Sequence, residues 1–226
     1  MKKTALVTGG NRGIGKAVVA GLAAQGITVL LGSRNLAAGQ EAAATIDGDV
    51  HAVALNVANR ATLKKEVKAI LQEHPVIDIL INNAAILKEG SVLEVDENEF
   101  DASLRTNVGG PFDLIRLLVP GMILRGYGRI VNVSSQWGSF AAGLTGPAAY
   151  CISKAAINAL TMTLAHSVPD NVKVNSASPG WVRTRMGGDS APRSVEQGAD
   201  SIIFLATLPD DGPNGGFYHD GEQVEW

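Results

Sequence analysis

The chain has 226 residues, 46% of them hydrophobic, and this length supports a sizeable core without requiring a second domain. Its 19 basic and 22 acidic residues give a formal net charge of −3, which argues against nucleic acid or an anionic membrane as a partner. The four histidines have no metal-ligand spacing, so we expect no metal site, and the single cysteine, Cys151, fits a cytoplasmic protein.

Short β-branched or leucine-rich runs alternate with segments of helical periodicity along the chain. The runs predict strands at 4–8, 28–31, 50–55, 77–81, 129–134 and 172–176. The periodic segments predict helices near 14–24, 36–46, 60–73, 97–107, 111–125, 151–166 and 194–207. This alternation is typical of a parallel sheet with helices on both faces. We therefore expect one α/β domain over residues 1–226, a doubly wound Rossmann-type sheet of about seven strands, with ligands bound beyond the carboxyl ends of the strands.

Two glycine- and proline-containing segments interrupt this pattern. Gly109 and Gly110, followed by Pro111, predict a break in what would otherwise be one long helix. The second segment starts at Pro179-Gly180 and is rich in Gly, Pro and Ser. We expect it to form a mobile substrate lid near 181–195.

A glycine-rich turn joins the first predicted strand to the first predicted helix. Bare backbone in such a turn can approach a pyrophosphate, and the positive end of the helix dipole favours its charge. Glycines are also common in ordinary tight turns, so the position after the first strand is what favours dinucleotide binding. The predicted cofactor contacts in this turn are Gly9, Asn11, Arg12, Gly13, Ile14 and Gly15.

The end of the second strand predicts which dinucleotide is bound. NAD-binding folds place a carboxylate there to accept from the ribose 2′-hydroxyl, whereas this chain has Ser33 and Arg34. A guanidinium can pair with a 2′-phosphate, and Arg12 could add a second positive charge. These residues predict NADP(H) as the cofactor. The alternative is that both arginines are only solvated surface residues.

Tyr150 and Lys154 lie four residues apart at the start of a predicted helix, so both side chains project from one face. An ammonium beside a phenol favours the phenolate, and we therefore expect a lowered pKa for Tyr150. The structural alternative is a tyrosine packed over a lysine stem. Other polar residues favour the catalytic interpretation, because Ser134 and Ser135 end one predicted strand and Asn82-Asn83 ends another at the ligand-binding edge.

These motifs together resemble the short-chain dehydrogenase/reductase family over nearly the whole chain. The glycine pattern is met by Thr8, Gly9, Gly13 and Gly15, and the Y-x-x-x-K pattern is met by Tyr150 and Lys154. The resemblance implies that Ser135 orients a carbonyl, that Tyr150 gives the proton, and that Lys154 lowers the phenol's pKa and grips the nicotinamide ribose. It implies further that Asn107 anchors a water in the proton relay. The remaining cofactor residues that it implies, with Tyr150 and Lys154, are Asn56, Val57, Asn83, Ala84, Ala85, Pro179, Gly180, Val182 and Thr184.

Two positions and one spacing depart from the family's pattern. Ala85 replaces a glycine, and Asn56 replaces an aspartate that holds the adenine, so only an uncharged amide is present there. The spacing from Ser135 to Tyr150 is also longer than usual for the family. Ser134 and Ser139 therefore remain alternatives to Ser135 as the hydroxyl that faces the substrate.

The segment after Pro179-Gly180 and the closing Trp226 resemble the carbonyl-reductase branch, whose members reduce ketones, aldehydes and quinones. The expected substrate is a small apolar carbonyl compound, and a monomer or dimer is favoured over a tetramer. A 3-oxoacyl thioester reductase is the alternative enzyme, and a non-catalytic NADP(H)-binding sensor is the alternative from another class. The predicted apolar pocket walls are Trp137, Phe140, Leu144, Trp181 and Met186.

Overall fold

The computed structural model describes residues 2–226 and contains one eight-stranded sheet. The strand order is β3-β2-β1-β4-β5-β6-β7-β8, and only the last pair is antiparallel. The strands are β1 Thr4–Thr8, β2 Thr28–Ser33, β3 Val50–Ala54, β4 Ile79–Asn82, β5 Gly128–Val133, β6 Val172–Ser178, β7 Phe217–His219 and β8 Glu222–Val224. The predicted doubly wound α/β sheet is confirmed, with eight strands instead of about seven.

Helices cover both faces of the sheet, as the alternating pattern predicts. They are α1 Gly13–Ala24, α2 Leu36–Ala43, α3 Arg60–Glu73, α4 Glu97–Leu104, α5 Gly110–Arg125, α6 Ala148–Ala165 and α7 Val195–Ala206. Within residues 2–226, none of them combines the length and the apolar content that a membrane span requires.

The central strand β1 contributes to two separate hydrophobic cores because its side chains alternate between the faces of the sheet. Ala5 and Val7 pack with α1 and α7, whereas Leu6 packs with α3 and α5 on the opposite face. All three side chains are completely buried. A strand covered on both faces has to be apolar throughout, which explains the uninterrupted run that predicts it.

The predicted helix break at Gly109-Gly110 is wrong. A π-helical segment, Arg105–Gly109, connects α4 to α5, so the backbone stays helical from Glu97 to Arg125. A Cβ atom on Gly110 would lie 2.9 Å from the Val57 carbonyl oxygen. Gly110 is therefore required by close packing of the helix against Val57, which follows β3 in the chain, and Pro111 comes directly after the π-helical segment.

Candidate active site

A cleft of about 1940 Å³ opens beyond the carboxyl ends of the central strands. This is where a doubly wound sheet binds its ligands. All of the predicted site residues line the cleft except Ser33 and Asn107. Those that line it are Gly9, Asn11, Arg12, Gly13, Ile14, Gly15, Arg34, Asn56, Val57, Asn83, Ala84, Ala85, Ser135, Tyr150, Lys154, Pro179, Gly180, Val182 and Thr184.

The glycine turn between β1 and α1 is held in shape by Asn83. Its Nδ2 donates to the Thr8 carbonyl oxygen at 2.8 Å, and its backbone N–H donates to Thr8 Oγ1 at 2.9 Å. Gly9 and Gly13 have φ values of 65° and 52°, which explains why glycine occupies both positions. A Cβ atom on Gly15 would lie 2.5 Å from Asn83 Nδ2, so the turn has no room for a larger residue there. The hydrogen bonds of Asn83 to Thr8 and its close contact with Gly15 therefore hold the glycine turn in this conformation.

The amino end of α1 lies at the cleft, because Gly13, Ile14 and Gly15 line it. Arg12 is the N-cap residue, with extended backbone, and its side chain does not cap the helix. Uncapped N–H groups at a helix start, together with the helix dipole, form an anion-binding site. The turn and this helix end therefore fit the pyrophosphate of a dinucleotide.

Three arginines lie close together at one end of the cleft. Arg12, Arg34 and Arg185 all line it and are exposed. Partial burial and then the positive charges of Arg185 and Arg34 lower the pKa of Arg12. A carboxylate does not pair with any of the three within residues 2–226, so the cluster is suited to an anionic group.

Ser33 does not face this cluster. Its side chain is buried, and its hydroxyl donates to the Asn35 carbonyl oxygen at 2.7 Å in the turn that starts α2. The residue is short and polar because of this local turn. Ser33 therefore matters to the cleft only because it places no carboxylate beside Arg34.

Tyr150 lies in the first turns of α6, with its side chain buried and its ring edge-on to Trp137 at 6.2 Å between centroids. Burial raises the pKa of Tyr150 to about 12, and the nearby Ser135 hydroxyl acts in the opposite direction. The predicted lowering of this pKa is therefore wrong, because desolvation outweighs every favourable interaction of the phenolate. The phenol is protonated at neutral pH.

Lys154 is 3% exposed, and its Nζ donates to the Val133 carbonyl oxygen at 2.7 Å. Burial lowers the pKa of Lys154 to about 8, because desolvation penalises the ammonium form. Nζ lies 5.4 Å from the centre of the Tyr150 ring. The pair that the sequence predicts is therefore together on one face of α6.

The three candidate serines are distinguished by their hydrogen bonds. Ser139 Oγ donates to the Glu225 carbonyl oxygen at 3.2 Å and does not line the cleft. Ser134 lines it but donates to the Lys154 carbonyl oxygen at 3.3 Å. Ser135 accepts from the Trp137 N–H at 3.2 Å, which leaves its hydroxyl proton for the cleft. Ser135 is thus the serine that best fits a substrate-facing role.

Asn107 does not line the cleft. Its side chain accepts from the Ile86 N–H and donates to the Ile86 carbonyl oxygen and to Ser153 Oγ, each at 2.9 Å. The Asn107 side chain therefore links the π-helical segment to the loop that follows β4 and to α6. Both N–H groups of the amide are used in these bonds, whereas Oδ1 accepts one bond and keeps a second acceptor position, and the predicted role of Asn107 in anchoring a water stays a prediction.

The aromatic pocket is smaller than the sequence predicts. Trp137, Trp181 and Met186 line the cleft, whereas Phe140 and Leu144 do not. Phe140 is 71% exposed, and Leu144 has a φ of 53° in a turn. Both belong to a loop that bends away from the cleft. The wall prediction is wrong for these two residues, because the apolar character of a loop residue does not show which way its side chain faces.

Arg185 is the functional candidate that sequence reasoning missed. Its neighbour Thr184 is brought against the glycine turn, so that a Cβ atom on Gly13 would lie 3.4 Å from the Thr184 methyl group. Contacts between segments about 170 residues apart leave no local signal. The only signal for Arg185 in the sequence was its basic side chain in the segment that follows Pro179-Gly180.

Comparisons with known proteins agree with this geometry. The family described as short chain dehydrogenase matches residues 3–194. The 3-oxoacyl-[acyl-carrier-protein] reductase FabG of Thermotoga maritima is 36% identical over 207 residues, which are 90% of this chain and 83% of that protein.

Two solved structures extend the similarity. The carbonyl reductase Sniffer of D. melanogaster superimposes with a TM-score of 0.89, 28% identity and 100% coverage of both chains. A gluconate 5-dehydrogenase from Burkholderia cenocepacia J2315, in complex with NADP and tartrate, gives a TM-score of 0.87 at 25% identity and covers 100% of this chain and 94% of that one. The family match, the fold and the glycine turn agree, and the chain belongs to the short-chain dehydrogenase/reductase family of oxidoreductases.

Proposed function

We propose that the protein reduces ketones or aldehydes with NADPH. The observation that carries this proposal is the grouping of Ser135, Tyr150 and Lys154 beside an uncapped helix end and a glycine turn in one cleft. A pure NADP(H) sensor has no use for all three polar side chains around a carbonyl-sized space. The reaction class follows from the family, and the substrate class follows from the walls of the cleft.

The cleft fits a dinucleotide phosphate at both of its anionic groups. The amino end of α1 is suited to the pyrophosphate, and the cluster of Arg12, Arg34 and Arg185 is suited to a 2′-phosphate. The related gluconate 5-dehydrogenase structure contains NADP, which supports the same assignment here. Asn56 lines the adenine end and offers an amide where the family usually has a carboxylate.

The nicotinamide, when bound, supplies the hydride. The chain's own groups act on the carbonyl oxygen. Ser135 donates a hydrogen bond to it, and Tyr150 transfers the proton that the developing alkoxide requires. Burial keeps the phenol protonated at neutral pH, which is the form needed for reduction. Lys154 holds a positive charge behind the phenol and stabilises the phenolate that remains after the transfer.

Residues 181–195 are proposed as the substrate lid. The segment has its own hydrogen bonds, because Trp181 Nε1 donates to the Gly187 carbonyl oxygen at 2.8 Å and a bridge joins Val182 to Arg193. Trp181 and Met186 face the cleft and exclude water from the carbonyl. Such a compact segment moves as a unit about Gly180, which has a φ of 73°.

A 3-oxoacyl thioester reductase is the second candidate function, and the 36% identity to the Thermotoga maritima protein favours it. Carbonyl reductase is favoured by the structural similarity to the Drosophila enzyme, which superimposes with a TM-score of 0.89. The test is a panel of apolar ketones, aldehydes, quinones and 3-oxoacyl thioesters, with NADPH absorbance as the readout. Turnover of thioesters alone would select the second function, and turnover of neither class would contradict both.

Cofactor preference is tested by replacing Arg34 with Asp. The new carboxylate repels a 2′-phosphate and can accept from a ribose hydroxyl, so we expect NADPH affinity to fall by about 1.5 to 3 kcal/mol, or roughly ten- to hundredfold. NADH affinity should rise or stay constant. Arg185→Asp should weaken NADPH binding in the same direction.

Arg116→Asp is the matched control, because it makes the same charge change on α5 outside the cleft. Nucleotide binding followed by fluorescence gives all the affinities. Equal affinities for NADH and NADPH in the unmutated protein would contradict the assignment of the arginine cluster.

A further inference from the structure

The last two residues of the chain contact a loop that joins two parts of the candidate active site. This loop, residues 139–146, begins after the turn that contains Trp137 and ends before Tyr150 in α6. We call it the 139–146 loop. It lies between Ser135 and Tyr150 in the chain and contains no helix or strand.

Trp226 is attached to the sheet by an aromatic contact, and Glu225 and Trp226 are joined to the 139–146 loop by two hydrogen bonds. The Trp226 ring stacks on Phe217 with 5.6 Å between ring centroids and an interplanar angle of 16°. Phe217 belongs to β7, is fully buried, and pairs with Val224 of β8. The tail is therefore attached to the sheet and not to the loop alone.

The same two residues hold the 139–146 loop through their carbonyl oxygens. The Ala141 N–H donates to the Trp226 oxygen at 2.9 Å, and Ser139 Oγ donates to the Glu225 carbonyl oxygen. Ser139 Oγ also accepts from the Ala142 N–H at 3.1 Å, so one side chain joins the tail to the next turn of the loop. The buried hydroxyl of Ser139 therefore both donates and accepts within this attachment.

The ends of the loop are packed tightly against the catalytic helix and its aromatic neighbour. A Cβ atom on Gly138 would lie 2.5 Å from the Lys154 backbone carbon, and one on Gly146 would clash with the Trp137 ring. Asn158 of α6 donates to the Gly138 carbonyl oxygen at 3.1 Å. A displacement of the loop must therefore be transmitted to Trp137, which contacts Tyr150.

We propose that Glu225 and Trp226 form a strap that positions Ser135 and Trp137 relative to Tyr150 for the carbonyl substrate. Neither residue of the strap lines the cleft, so both are positioning residues and act through the 139–146 loop. The proposal rests on the proposed carbonyl reduction for its kinetic consequence. The contact itself is independent of that function.

The test compares Trp226→Ala with Trp226→Phe, which keeps an aromatic ring on Phe217. Hydrogen exchange at the Ala141 amide should accelerate by about tenfold or more in Trp226→Ala and return towards the native rate in Trp226→Phe. kcat/KM for an accepted carbonyl should fall by about tenfold with the same pattern of rescue, because small misplacements of reacting groups are costly. NADPH affinity should change by less than about twofold, since the strap is remote from the phosphate sites.

Ser139→Ala removes the other hydrogen bond of the strap and should accelerate exchange at Ala142. Phe112→Ala removes a partly exposed aromatic ring from α5, far from the loop, and serves as the matched control. Unchanged exchange at Ala141 in Trp226→Ala overturns the strap. Faster exchange with an unchanged kcat/KM overturns its positioning role. If the wild-type protein reduces no carbonyl, the proposed function fails, and exchange at Ala141 still decides whether the strap exists.

Discussion

Tyr150→Phe is expected to lower kcat for carbonyl reduction by about a hundredfold to ten-thousandfold while NADPH affinity stays nearly constant. The substitution removes only the hydroxyl that transfers the proton. The ring and its edge contact with Trp137 remain, so the fold and the wall of the cleft are preserved. Steady-state kinetics and NADPH fluorescence titration measure the two quantities separately.

Tyr218→Phe is the matched control for this experiment. Tyr218 is also buried, but it belongs to β7 and does not line the cleft. Its loss should leave kcat unchanged. If Tyr150→Phe reduced an accepted carbonyl at the unmutated rate, Tyr150 would be a packed aromatic residue and the sensor interpretation would gain weight.

Lys154→Met is expected to lose turnover to a similar extent and to weaken NADPH binding as well. Methionine retains the length of the side chain, so that loss of the ammonium is separated from loss of packing. The family resemblance gives this ammonium a contact with the nicotinamide ribose in addition to its effect on the phenol. Reduced kcat with unchanged NADPH affinity would contradict that second role and leave only the effect on Tyr150.

The same variant tests the burial of the lysine through the pH dependence of stability. Burial lowers the pKa of Lys154 from 10.5 to about 8. Between these pH values the unfolded chain binds the proton and the folded protein does not, so the free energy of unfolding rises with pH. Lys154→Met lacks this contribution, and the stability of the wild type relative to the variant should increase by up to about 3 kcal/mol across this window.

Urea unfolding at pH 8 and above measures that difference. The raised pKa of Tyr150 acts in the opposite direction at higher pH, because the folded protein then retains a proton that the unfolded chain has lost. This contribution acts only above about pH 10, the pKa of tyrosine in the unfolded chain, so the two proteins are compared between pH 8 and pH 10. A relative stability that does not change with pH would show that the Lys154 ammonium is well solvated.

The sequence predicted correctly the elements and residues whose placement depends on local constraints, which are the burial of a strand and the spacing of residues along a helix. Strands β1, β2 and β4 are buried almost throughout and therefore appear as largely apolar runs. The glycine turn, Tyr150 and Lys154 lie within or beside such elements, and their spacing determines which of them share a face. The topology then brings them to one cleft without further information.

The failures all depend on contacts between distant segments. β7 and β8 have three residues each, and they exist because β7 pairs with β6. The pKa of Tyr150 depends on burial that no local pattern reveals. Arg185 meets the glycine turn only after the chain has folded, and Gly110 looks like a helix breaker until Val57 is seen against it.

The continuous helical rod from Glu97 to Arg125 has a consequence for how the family's chains can vary in length. Arg105 donates to the Val57 carbonyl oxygen at 3.0 Å, and Gly110 packs against the same residue, whose neighbour Asn56 lines the cleft. Between them, Asn107 joins Ile86, which also lines the cleft, to α6. The helical segment therefore sets the separation between these two parts of the cleft wall, and we expect an insertion or deletion within it to change that separation.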